Sequence, residues 1–232
     1  MKHLLSLFLI AFTSTLFAQS KPFEGVLHYT ITQLNATGQK IENSESNAEV
    51  TIYVKGERLL MDIVQYIPTL GNVDTVETVF LQDFGTKDSY IGMKMIDNYY
   101  YTKDELEAYP AGKFNPSKIK SRTVQGLTCN AGVVLTADAN TGLEQSATIW
   151  FTNHYSAPHL FFGQFVNVPG MVVSVEEKSS DNESTLIELS KMEAKSISEA
   201  ELQMPKKYTF TTWEELFNRY PMLNEGMELN EN

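Results

Sequence analysis

His154 and His159 lie a few residues apart on either side of a turn-rich stretch, a spacing at which two imidazoles can share a metal ion. A zinc centre needs three or four ligands, and no cysteine or third histidine lies near the pair. They read as loop histidines flanking Pro158. The single cysteine, Cys129, follows Gln125-Gly126-Leu127-Thr128, which supplies neither a base nor a helix start to lower a thiol pKa. It reads as a small apolar strand residue, buried and unpaired, and a lone cysteine forms no intramolecular disulfide. Glu176 and Glu177 are adjacent in an extended stretch, where neighbours point to opposite faces and cannot act as a close carboxylate dyad. His28 sits on the solvent side of an alternating strand. Asn35-Ala36-Thr37 and Asn182-Glu183-Ser184 match the glycosylation triplet, which recurs by chance.

The linear signatures of nucleophile, phosphate cradle and metal helix are missing: the chain has no G-x-S-x-G, P-loop, G-x-G-x-x-G or H-E-x-x-H. The expectation is therefore a non-enzymatic protein with no catalytic residues, no metal and no cofactor, although a site assembled from distant residues leaves no linear trace. Charge narrows the partners. Lys and Arg number 18 against 29 Asp and Glu, a net −11, and the cations are scattered. Such a surface repels phosphate backbones and anionic lipid at long range, which excludes nucleic acid and electrostatic membrane docking.

The elements that position these residues are strands. From Glu24 onward apolar and polar residues alternate with period two between clusters of Gly, Asn, Asp and Pro. Leu27, Tyr29 and Ile31 alternate with Val26, His28 and Thr30. Val50, Ile52 and Val54 run into the turn Gly56-Glu57 and return through Arg58 to Val64, the clearest hairpin in the chain. Further strands are expected at 75–82, 89–95, 98–102, 118–125, 128–135, 146–152, 171–177 and 184–192. Helical signals are few: a capping box at Thr212-Trp213-Glu214-Glu215 opens a helix from Trp213 to about Arg219, and residues 103–109 suggest another turn before Pro110.

At the N-terminus Met1-Lys2-His3, the apolar run from Leu4 to Phe17 and then Ala18 read as a secretory signal. The run is shorter than a membrane span needs, so cleavage after Ala18 is expected and no span remains. No cysteine follows the cut for lipid attachment, so the expected location is the periplasm or outside the cell. The domain reading is a signal peptide at 1–18, one β-rich domain at 19–222, and a disordered acidic tail at 223–232. The fold class is mainly β: a curved antiparallel sheet with a few short helices.

Gly126-Leu127-Thr128-Cys129, then Ala147-Thr148-Ile149-Trp150-Phe151-Thr152, then Asn167-Val168-Pro169-Gly170-Met171-Val172 resemble the GLPGLI-type and related families of exported Gram-negative bacterial proteins. Phe23-Glu24-Gly25-Val26-Leu27-His28-Tyr29 and Met204-Pro205-Lys206-Lys207-Tyr208 extend the likeness over most of the mature chain. Asn167 stands where the signature has glycine, and Val172 where it has a larger aliphatic residue. The resemblance implies a LolA/LolB-like half-barrel whose concave face is covered by short helices. It brings no catalytic residues with it.

Strand parity then names a candidate apolar wall: Leu27, Tyr29, Ile52, Val54, Met61, Ile63, Met93, Met95, Met171 and Val173 share one face. These residues either line a site for a lipid or acyl chain or form the core under the helices, the default for alternating strands. The other functional reading is an envelope structural or protein-interaction module without a small-molecule ligand. In that reading Tyr99-Tyr100-Tyr101 presents alternate tyrosines to an envelope protein partner.

Overall fold

The alternating segments fold as β1 (Lys21–Pro22), β2 (Gly25–Leu34), β3 (Ala48–Lys55), β4 (Arg58–Thr69), β5 (Asn72–Asp83), β6 (Asp88–Lys94), β7 (Tyr99–Glu105) and β8 (Lys113–Pro116). They continue as β9 (Arg122–Val124), β10 (Leu127–Ala137), β11 (Glu144–Thr152), β12 (Tyr155–Ser156), β13 (Met171–Lys178), β14 (Ser184–Ala194) and β15 (Tyr208–Phe210), before helix α1 (Trp213–Arg219). The computed structural model describes residues 20–42, 44–69, 72–96, 98–106, 111–119, 121–137, 144–178, 183–221 and 223. The expected signal segment 1–18 and, apart from Leu223, the expected tail 223–232 lie outside the described residues.

One large sheet runs in the order β15-β7-β6-β5-β4-β3-β2-β14-β13-β11-β10-β8, with β9 also on β10. Its two end strands do not pair with each other, so the curved sheet stays open. Every neighbour in it is antiparallel except β15, which joins β7 in parallel. A separate parallel pair, β1 with β12, ties Lys21 to Tyr155. The expected hairpin forms between β3 and β4, and Gly56 takes φ +60°, the left-handed conformation that a two-residue turn asks of its first residue.

Two expectations are corrected. Residues 103–105 are strand, not helix: Lys103 lies opposite Tyr90 and its ammonium meets Asp88 at 2.6 Å, so cross-strand pairing decides the conformation. Residues 107–109 of that expected turn lie outside the described residues. The strand expected at 118–125 is only Arg122–Val124, because Gln125 and Gly126 both take positive φ and turn the chain into β10.

Cross-strand rows show how the sheet is buried on both faces. On the inner face Leu27, Ile52, Met61 and Phe80 stand opposite one another in β2 to β5 and share the largest core. On the outer face Val26, Tyr53, Leu60 and Leu81 form the neighbouring row and belong to a different core. A strap from Lys195 to Phe210 covers that outer row with Ile197, Leu202, Met204 and Tyr208. It begins on Glu24, whose carboxylate accepts from the Ile197 amide at 2.8 Å. It continues over Arg58, which donates to the Leu202 carbonyl at 3.2 Å, and ends as β15. Gly92 is the notch that seats it, since a Cβ there would lie 2.5 Å from Met204 Cε.

After the strap, α1 opens with the expected capping box. Thr212 Oγ1 accepts from the Glu215 amide and the Glu215 carboxylate accepts from the Thr212 amide, both at 3.2 Å. The helix buries Leu216 against Tyr100 and Tyr220 at the β7 end of the inner face, and Leu223 packs there too.

Candidate functional site

Eight of the ten candidate wall residues come together. Leu27, Tyr29, Ile52, Val54, Met61, Met171 and Val173 are buried in the inner core and Ile63 packs against it. β2, β3 and β4 supply the first five and Ile63, while β13 brings Met171 and Val173 from the other half of the sheet. Met93 faces the same way, opposite Thr78 and Tyr100, but stands half-buried outside that cluster. Met95 lies past the end of β6, where its amide turns to the Asn98 carbonyl at 2.8 Å, and it packs with Tyr100 and α1 instead.

The inner core is covered by the segment from Ala157 to Gly170. Its centre is the turn Leu160–Gly163, in which Phe161 (φ 52°, ψ 48°) and Phe162 (φ 59°, ψ 26°) are left-handed and Gly163 follows at φ 76°. For bulky side chains this conformation costs about 1–2 kcal/mol per residue. The turn lays the Phe161 ring edge-on to Tyr29 and the Phe162 ring edge-on to Phe80, each with centroids 5.2 Å apart. Such pairs contribute about 0.5–1.5 kcal/mol each beyond burial. The contacts and the strain therefore roughly cancel, and burial of the two partly buried rings against the inner core is what holds the turn in place.

The segment's backbone bonds are mostly local, running Leu160 to Ala157, Gln164 to Phe161, Val166 to Gly163 and Val168 to Phe165. From outside, the Gly112 amide reaches the Gln164 carbonyl at 3.2 Å, and Asn167 donates to the Gly112 carbonyl at 3.0 Å. A cavity of about 10 Å³ between Val54, Leu59, Ala157 and Leu160 is the small gap left at this seam. Phe161 and Phe162 leave only a short trace in the sequence, the three-residue apolar run Leu160-Phe161-Phe162, too short for a strand and ended by glycine.

The chemical candidates take quiet positions. His159 stacks on Phe84 with ring centroids 4.1 Å apart, and burial lowers its pKa against a smaller opposing pull from Glu57. His154 meets the Tyr155 ring edge-on. Among the described residues no group of three or more His, Cys, Asp or Glu is placed to hold a metal ion. Cys129 is buried and free, and burial raises its thiol pKa against smaller lowering by the Val124 backbone and Arg122. His28 hydrogen-bonds Thr51 at 3.2 Å on the outer face. Glu176 and Glu177 oppose different β14 residues, Leu186 and Thr185, and burial raises the Glu177 pKa.

The tyrosine run is not the open aromatic surface expected of it. Tyr100 is buried under α1, while Tyr99 and Tyr101 meet Tyr208 and Phe210 of β15 edge-on at 5.3 Å. The strap's last strand occupies the edge that an interaction partner would use. At the end of the strap, Lys207 pairs with Glu77 of β5 at 2.6 Å and lies over the Tyr99 ring, and Tyr208 donates to Glu77 at 3.2 Å. Asp62 sits beside this group with Oδ1 buried and unpartnered, and its pKa is raised first by burial and then by Glu77.

Among known proteins, no family model and no curated sequence matches the chain, so the GLPGLI-type likeness rests on its short motifs alone. Two of the solved structures similar to the chain are as follows. A hypothetical protein from Chlamydia trachomatis is 8% identical over 81% of this chain and 94% of its own, with a TM-score of 0.39. A LolA superfamily protein from Nitrosomonas europaea is 9% identical over the same shares of the two chains, with a TM-score of 0.35.

Proposed function

We propose that this chain is a non-enzymatic protein, acting outside the cytoplasm, that holds the hydrocarbon part of an apolar ligand against the inner face of its open sheet. One observation carries the reading: the inner wall is covered by a locally bonded, backbone-strained segment at Phe161 and Phe162, not by further sheet. With ring contacts and strain nearly cancelling, such a cover is held chiefly by burial of its apolar side chains, which another apolar body can supply in its place. Native mass spectrometry of the purified chain, followed by organic extraction, tests it. A lipid or acyl compound bound at one per chain is the expected result. A chain that carries none and takes up none from added palmitoyl lysophosphatidylcholine overturns the reading.

One observation favours a second reading, an interaction module of the envelope. Beyond Gln65 and Thr78 the strands β4 and β5 continue as a two-stranded ribbon, past the last pairings with β3 and β6, and expose Val73 at 63% and Val76 at 39%. Capture of an envelope protein by the wild type and not by Val73→Asp would support that reading over the first.

A further inference from the structure

We infer that the edge of β5 beyond Thr78 accepts one extended segment of a partner protein as an added antiparallel strand, and that this segment is rich in β-branched residues and sets a cation opposite Asp74. This rests on the interaction reading above, to which it adds the docking edge and the chemistry of the partner, and it is independent of the carrier reading.

Backbone pairing selects the edge. β4 stays paired with β5 as far as Thr69 opposite Asn72, whereas the pairing of β6 with β5 stops at Met93 opposite Thr78, and β6 itself ends at Lys94. The stretch from Asn72 to Glu77 is therefore paired on one side and, among the described residues, has no strand on the other. Such an edge presents unpaired amides and carbonyls to an incoming strand. The end strands of the sheet offer less: β15 has three residues, and β8 has four and ends in Pro116. On the other side of the ribbon Pro68 has no amide to donate, and the Tyr66 amide already reaches the Asn47 carbonyl at 3.2 Å. Residues 72–77 contain neither proline nor lysine, the residues that keep natural edges from pairing. Val73, Thr75 and Val76 are good strand formers and stand exposed.

Parity and charge select the guest. Asp74 and Val76 have the parity of Phe80 on the inner face, and Val73 and Thr75 have the outer one. Glu77 already holds Lys207, but among the described residues no cation pairs with Asp74, which is exposed. A strand laid in line with β6 places one side chain directly opposite Asp74, and a lysine or arginine there completes a cross-strand ion pair. Side chains opposite Val73, Thr75 and Val76 pack best when β-branched. A second copy of this chain is the poorer guest. Its own stretch 72–77 brings Asp74 and Glu77 and no cation, and each copy carries a net charge of −11.

NMR titration of the full chain with the capped peptide Gly-Val-Thr-Lys-Val-Thr-Gly tests this. The amide signals from Val73 to Glu77 should shift saturably. Two versions of the peptide, N-methylated at one or the other set of alternate residues, should differ: one loses binding and the other keeps it, because only one set of amides faces β5. Asp74→Lys, a change at an exposed side chain, should weaken the peptide about five-fold and strengthen a version with glutamate in place of lysine by a similar factor. No saturable shift at these amides, or equal binding of the two methylated versions, overturns strand addition. Equal binding of the lysine peptide by wild type and Asp74→Lys overturns the cationic partner. If the wild type sediments as a dimer and Thr75→Lys as a monomer, the edge belongs to a second copy and the partner assignment falls. The interaction reading survives the first two results and falls on a different one, equal capture of an envelope protein by wild type and Val73→Asp.

Discussion

Tyr29 donates its hydroxyl hydrogen to the carbonyl of Val172 at 2.7 Å, joining β2 to β13 through the inner core across the width of β14. The acceptor lies at an irregularity of the ladder, where pairing of β11 with β13 shifts between Trp150 and Phe151. A bulge turns a carbonyl out of regular pairing, and here the phenol satisfies it. Burial pushes the Tyr29 pKa upward, so the hydroxyl remains a neutral donor across the working pH range.

Two substitutions separate the bond from the ring. Tyr29→Phe keeps the contact with Phe161 and removes the donor, leaving a buried carbonyl short of a partner, and should cost about 1–3 kcal/mol. Tyr29→Ala also removes the ring and should cost about 3–5 kcal/mol. Urea denaturation of the three proteins measures both. A Tyr29→Phe protein with the wild-type midpoint would show that the bond adds no net stability.

Asp62 predicts a stability that changes with pH in the less usual direction. Its folded pKa is raised by burial and by Glu77, with Lys207 opposing. The fold therefore disfavours the ionised form, and that cost appears as pH rises through the raised folded pKa and vanishes below the ordinary aspartate pKa. Asp62→Asn should gain about 0.5 kcal/mol or more at pH 7 and show no advantage in acid below the ordinary aspartate range. Thermal melting across that range checks it. An equal gain at every pH would mean the effect does not come from ionisation.

How much of this was legible depends on where the covering partner lies. The parity of β3 and β4 was readable because Val50, Ile52 and Val54 alternate strictly with polar residues, and Ile52 and Met61 do share the inner face. Leu59-Leu60-Met61 was harder: Leu60 faces outward yet is 4% exposed, because the strap from Lys195 to Phe210 buries it. Local alternation cannot announce a cover that arrives from far along the chain. Tyr99 and Tyr101 were misread for the same reason. Met95 was misplaced because one residue past a strand end the period no longer applies, and Phe161 was missed because left-handed turns of bulky residues have no propensity signal.

Gly92 should prove essential to seating the strap. Gly92→Val places methyl groups where Met204 Cε and the Tyr208 ring stand, at 2.5 and 2.9 Å from the new Cβ. Overpacking of this kind costs about 1–3 kcal/mol. Because the strap end is the displaced part, trypsin should cut at Lys206 and Lys207 faster in the variant than in the wild type. Unchanged cleavage would place the strain elsewhere than under the strap.

The sharpest test of the two-faced sheet uses two positions on one strand and the same new side chain. Met61 is 3% exposed on the inner face between Ile52 and Phe80, with no carboxylate in that row. Val64 has the opposite parity and stands directly between Glu49 of β3 and Glu77 of β5, partly buried on the outer face. Met61→Lys buries an unpaired ammonium, at a cost of several kcal/mol from a total stability of about 5–15 kcal/mol, and should leave the chain largely unfolded at 37 °C. Val64→Lys sets the same ammonium between two glutamates, where opposite charges on adjacent strands contribute about 0.2–1 kcal/mol, against a small loss of apolar burial. Its melting temperature should stay close to that of the wild type and fall when salt screens the two pairs. Circular dichroism melts of both variants at low and high salt decide the matter. If Met61→Lys melts with the wild type, or Val64→Lys unfolds with Met61→Lys, the assignment of inner and outer faces is reversed or lost, and the proposed ligand wall goes with it.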